Sequence, residues 1–165
     1  MAKKRFKAGI TSANIKQEIN TALFNNEDLR KMVLEQTNAD DTLRGQKQAF
    51  KKRVFSHLFI DETIEETGTY IFYDVVFPSL HPETKTCQLW MYIICHRTLI
   101  DDFSSDKYYG NRIDALMQMV EDSILNDDDV ALNFGIGRLS LDSTEVYNSM
   151  RMYGYSLVFS VPDFR

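Results

Sequence analysis

Alternation of apolar and polar positions is strongest near the end of the chain. Tyr153, Tyr155, Leu157, Phe159 and Val161 fall on one side, against Gly154, Ser156 and Ser160 on the other. A two-residue period of this kind predicts a strand. Residues 69–77 repeat it, with Ile71, Tyr73, Val75 and Phe77 opposed to Tyr70, Phe72, Asp74 and Val76. β-branched and aromatic residues dominate both sides, and Pro78 is expected to open a loop. Residues 87–96 form the next predicted strand. Cys87, Leu89, Met91, Ile93 and Cys95 are wholly apolar, whereas Gln88, Trp90, Tyr92, Ile94 and His96 are mixed. The connection of about ten residues predicts an antiparallel hairpin. A shorter strand is expected after Gly135 and Gly137, with Leu139 and Leu141 facing together, and residues 143–149 are expected to turn into the terminal strand.

Elsewhere the period is helical. Ile113, Leu116, Met117, Val120 and Ile124 make one stripe, predicting a helix over 111–126 with Asn111 as cap and Asp114 in the capping-box position. Near the start, Ile15, Ile19, Ala22 and Leu23 form a stripe opened by Ser12, after a basic leader at 1–9 expected to fray. Leu29, Met32 and Val33 form another, capped by Asn26. Glu27 and Asp28 precede Arg30 and Lys31 there, the order the helix dipole favours. Two short helices, or one kinked helix, are predicted. Residues 44–66 carry Phe50, Val54, Phe55, Leu58 and Phe59 but fit neither period. They are expected to form an irregular arm running from basic to acidic.

This order predicts an α+β fold: a mainly antiparallel sheet of about four strands, one long helix packed on it, and N-terminal helices. The division is a helical segment at 1–42 and an α+β domain at 43–165, together one compact unit. With 165 residues, 44% hydrophobic and 26% charged, the chain can bury an ordinary core and is not globally disordered. No apolar run reaches the roughly 18 residues of a membrane span, and the basic start lacks a signal peptide's apolar stretch. Two cysteines suggest a reducing, intracellular setting rather than a disulfide framework. A net charge of −5 argues against a dedicated nucleic-acid binder but permits a local basic patch.

Candidate chemistry is sparse. Cys87 and Cys95 are eight apart on one predicted strand, more than about 20 Å by strand rise. His96 points away from Cys95. Zinc sites favour closely spaced pairs on turns, so buried structural cysteines are the better reading. No flanking signature supports a Cys–His nucleophile with His57, His81 or His96. Gly135 and Gly137 lead into a strand without a third glycine or lysine, unlike phosphate-binding loops. The acids at 101–102, 127–129 and 65–66 lack calcium-loop spacing. No catalytic residue, metal or cofactor is implied.

What remains is a surplus of apolar and aromatic groups. Trp90, Tyr92 and Ile94 lie on the second side of a strand whose first side already makes core. Such a sheet must be covered by helices or by another subunit. The arm is bipolar, with Lys51, Lys52 and Arg53 beside Phe55 and Phe59, then Glu65 and Glu66. Opposed charges suit a neighbouring copy better than phosphates, whose attraction the acids blunt.

The segments "GTYIFYDVVF", "QLWMYIICHRTLID", "GNRIDALMQMVEDSIL", "FGIGRLSLDS" and "MRMYGYSLVFSVPDF" resemble tailed-bacteriophage neck proteins: tail terminators, tail-completion proteins and head–tail joining proteins. The likeness is carried by the strand hairpin, Arg112-Ile113-Asp114, Gly135 to Leu139 and Asp163-Phe164, within residues 43–165. It implies a non-enzymatic virion protein, found in the host cytoplasm during assembly. Such proteins form a ring, commonly hexameric, between capsid connector and tail tube, and double-stranded DNA passes through without sequence-specific binding. Lys51, Lys52, Arg53, Phe55, Phe59, Glu65, Glu66, Trp90, Tyr92, Asp163, Phe164 and Arg165 would then meet neighbouring subunits or rings. Asp101, Asp102, Asp127, Asp128 and Asp129 would suit an acidic lumen, and the tip at Phe164 and Arg165 would project to a partner ring. Two competing readings are a small nucleic-acid-binding module using the basic segment 44–53, and a hydrolase using His96 with carboxylates.

Overall fold

The computed structural model describes residues 7–58, 60, 66–81, 85–126, 130 and 139–164. Ten elements follow in order: α1 (Ala8–Asn25), α2 (Glu27–Leu34), α3 (Leu43–Phe50), β1 (Val54–Phe55), β2 (Thr69–Leu80), β3 (Lys85–His96), a 3-10 turn (Arg97–Leu99), α4 (Arg112–Leu125), β4 (Ser140–Asn148) and β5 (Met152–Phe164). The class is α+β. The sheet has five strands in the order β1-β2-β3-β5-β4. It is mixed, since β1 pairs parallel to β2 while every other pair is antiparallel. The expected sheet of about four strands is corrected on both points.

Each correction has a local cause. The segment expected to be an irregular arm contains α3 and β1. Thr42 caps α3 by accepting from the Gly45 N–H, but only Phe50 is buried along the helix, against the edge of Phe24. One anchor leaves no stripe to read. β1 is two residues long, entered through the Ile71 N–H, which donates to the Arg53 carbonyl (2.9 Å). The stretch expected to turn at 143–149 is strand as far as Asn148. As an edge strand with mostly exposed side chains, β4 has no buried side to impose alternation. Pro78 does not end β2; it falls where the β2–β3 register shifts, between Val76 and Ser79. Helix α1 begins at Ala8, ahead of Ser12, with no side-chain cap. Gly135 and Gly137 lie outside the described residues.

The core lies between one face of the sheet and α1, α2 and α4. Ile71, Tyr73, Leu89, Met91, Ile93, Leu157 and Phe159 are buried there against Ile15, Ile19, Leu29, Val33, Leu116 and Val120. At full burial each such side chain contributes about 1.5–3 kcal/mol. Polar contacts fix the helices. The Tyr73 hydroxyl donates to the Lys16 carbonyl at 3.0 Å. The Asn26 amide, at the α1–α2 junction, donates to Met119 O (3.2 Å) and Ser123 Oγ (2.9 Å) of α4. Asn111 and Asp114 form the expected capping box. No helix among the described residues is long and apolar enough to cross a membrane.

Candidate functional site

Among the described residues, no helix covers the second face of the sheet. The strand register sets its rows: Tyr70, Ile94, Gly154 and Tyr147; Phe72, Tyr92, Ser156 and Glu145; Asp74, Trp90, Val158 and Ser143. The first row and part of the second lie under the segment that follows α3. Phe55, Leu58 and Ile60 pack on Tyr70, Phe72, Ile94 and Met152. Phe55 stacks on Phe72, with ring centroids 5.0 Å apart and planes at 15°. Tyr92 meets Tyr147 edge to face at 5.8 Å. The Tyr92–Tyr147 contact lies beside Gly154, the register partner of Tyr147, where a Cβ would sit 1.9 Å from the Ile93 carbonyl oxygen.

Beyond this strap the face is open. Trp90 is 39% exposed, with its indole N–H donating to Gln88 Oε1 at 2.9 Å. Half-buried Val158 and Tyr92 flank it. Asp74, across from Trp90, is engaged at the sheet edge: Lys16 Nζ lies 2.6 Å from its Oδ1, which also accepts from the Val75 N–H. On the far side, β4 brings the exposed Glu145 and Asp142, the latter accepting from Ser140 Oγ at 3.0 Å. Among the described strand positions of this face there is no Lys or Arg. The surface is aromatic at its centre and acidic along one border.

The other expected contact residues are placed as follows. Lys51 and Lys52 are exposed at the end of α3, and Phe55 is half-buried in the strap. Arg53 is not a surface contact. It is 1% exposed, lies 4.7 Å over the Tyr70 ring centroid, and directs Nη2 to Glu66 Oε1 at 3.1 Å and to the Gln36 carbonyl. Its alternating neighbours gave no hint of burial, because a lysine-rich run reads as solvated. Glu66 is exposed and serves as that ion-pair partner. Asp101 and Asp102 are exposed after the 3-10 turn. Phe59, Glu65, Asp127, Asp128, Asp129 and Arg165 lie outside the described residues, as do the side chains of Asp163 and Phe164. The backbone of Phe164 pairs with Lys85, so the strand stays in the sheet to that point.

Sequence pattern also missed the burial of Arg112. It sits on the buried side of α4, 2% exposed. Its Nε donates to the Leu99 carbonyl (3.1 Å) and its Nη2 to Glu35 Oε2 (2.5 Å) and the Asp102 carbonyl (3.0 Å). This ties α2 and the 99–102 turn to α4.

Catalytic geometry is thin. Burial pushes the thiols of Cys87 and Cys95 up to about 12, far from nucleophilic thiolates. The His96 ring caps the 3-10 turn and contacts Thr98 Oγ1 through Nδ1 at 2.8 Å. Among the described residues no group of three His, Cys, Asp or Glu could hold a metal ion. A cleft of about 350 Å³ opens between α1 and the strap, lined by Lys16, Lys51, Phe55, His57 and Tyr73. Lys16 is already held there by Asp74 and by the Ser56 carbonyl at 2.9 Å.

No curated protein matches the chain. A family model does: YomW, a name of phage derivation from an SPbeta-type prophage, matches residues 16–161, from within α1 to near the end of β5. The chain therefore belongs to the YomW family.

Proposed function

We propose that this protein is a structural component of a phage particle that assembles with copies of itself into a ring at the neck, where capsid connector meets tail tube and double-stranded DNA passes through the centre. One observation carries the reading. The sheet is sheltered by three helices on one face, while the other is only half covered by the protein's own strap, with Trp90 open at its middle. A partly uncovered aromatic surface on a sheet is the mark of a protein–protein contact. The phage-derived family name and the resemblance to neck proteins supply the setting. The nucleic-acid alternative loses support where Arg53, the last cation of its basic segment, is turned inward beneath Tyr70.

The test is to purify particles released on prophage induction, detect this protein by mass spectrometry, and locate it by antibody labelling under the electron microscope. The reading expects label at the junction of head and tail. Abundant protein in the lysate that is absent from washed particles would overturn it.

A further inference from the structure

We infer that the open sheet face of one copy receives the exposed basic side of α3 from the next copy, so that the contact is head-to-tail. The inference rests on the ring reading above for its setting, but its evidence is separate.

The sheet face presents Trp90 and Tyr92 with Glu145 and Asp142 beside them. Its remaining carboxylate, Asp74, is already held by Lys16. Two such faces meeting across a twofold axis that lays β4 on β4 would bring the carboxylates of both β4 strands together. Like charges in that arrangement oppose association and exclude the wrong partner. The complementary surface lies on another part of the same molecule. Helix α3 turns Phe50 inward and leaves Arg44, Lys51 and Lys52 exposed, together with Leu43 at 61% exposure. Lys51 and Lys52 follow directly on the last residue of α3, so the exposed cations cluster on the helix and the turn just after it. The segment Leu43–Phe50 contains no acid. A basic stripe with one exposed leucine matches an acidic border with one exposed tryptophan. Cations seated on the indole and phenol rings add an attraction beyond simple charge pairing. Because the two surfaces are different patches, each copy keeps one free after binding. Such contacts propagate, and close into a ring where the rotation allows.

The test uses two full-length variants, each checked by circular dichroism and thermal melting for an intact fold. R44E/K51E/K52E removes the stripe and keeps the face; W90S removes the centre of the face and keeps the stripe. Analytical ultracentrifugation of the wild type is expected to show association that weakens as salt rises. Either variant alone is expected to stay monomeric, and an equimolar mixture to form dimers and nothing larger, since only one productive contact remains. Three results would each overturn the inference: a wild type that is monomeric at every concentration, a stripe variant that assembles like the wild type, or a mixture that does not pair. Loss of DNA binding by the stripe variant with unchanged assembly would assign α3 to DNA and overturn it too. None of these bears on particle location. A head-to-tail contact in a protein absent from particles would preserve this inference and end the neck reading.

Discussion

Phe55 of the edge strand β1 pairs in register with Phe72 of β2, and their rings stack side by side on the second face of the sheet with centroids 5.0 Å apart. The stack fastens the strap that follows α3. Phe55→Ala is expected to cost about 2 kcal/mol, less than a fully buried phenylalanine because the ring is half-buried. Urea unfolding gives the loss. Binding of an apolar dye should rise at the same time, because Phe72 and Tyr70 lose their cover.

Gly154 faces a harder constraint. Its α-hydrogen side meets the Ile93 backbone so closely that a methyl group would lie 1.9 Å from the carbonyl oxygen. Backbone cannot rotate away as a side chain can. Gly154→Ala should destabilise by about 3 kcal/mol, the upper range for an overpacked site, measured by the urea midpoint.

Arg53 separates packing from charge. Arg53→Ala removes a buried side chain, leaves Glu66 without its partner and bares Tyr70. The unfilled volume sets the loss at about 3 kcal/mol, because Glu66 is exposed and rehydrates. Arg53→Met keeps the aliphatic volume and should recover most of it. If methionine is as damaging as alanine in thermal melts, the ion pair rather than the packing holds this corner.

Acid sensitivity has an identifiable contributor in Asp28. Hydrogen bonds from Lys107 Nζ and the Tyr108 hydroxyl, both 2.7 Å, hold its carboxyl below the usual carboxylate range. A depressed folded-state value stabilises above the unfolded-state pKa and is lost as pH falls through the folded-state one. Asp28 is more than a third exposed, so screening keeps the contribution below about 1 kcal/mol. Asp28→Asn should flatten the acid side of a stability–pH profile by that amount.

Legibility in the sequence followed burial. Helix α4, the β2–β3 hairpin and β5 each press one side on the core, so Leu116, Met91 and Phe159 repeat at the period their backbone imposes. Asn111 and Asp114 could be read as a capping pair because that signal is local. Helix α3 and β4 left no such record. The first has a single buried anchor in Phe50, and the second pairs on one edge only, with its side chains mostly in solvent. The open face was half legible. The mixed side of β3 announced an apolar surplus at Trp90, Tyr92 and Ile94, but nothing local disclosed that Leu58 and Ile60 would pack against part of it. Arg53 and Arg112 were opaque for a related reason: a buried arginine is identified by partners distant in the chain, here Gln36 and Glu35.

Cys87 and Cys95 sit deep between sheet and helices, their sulfurs held in the protonated form by that enclosure. Alkylating reagents and mild oxidants meet them only when the whole core opens. Their labelling rate is therefore a clock for global unfolding, and the thiols of the folded molecule are shielded from whatever redox agents surround it.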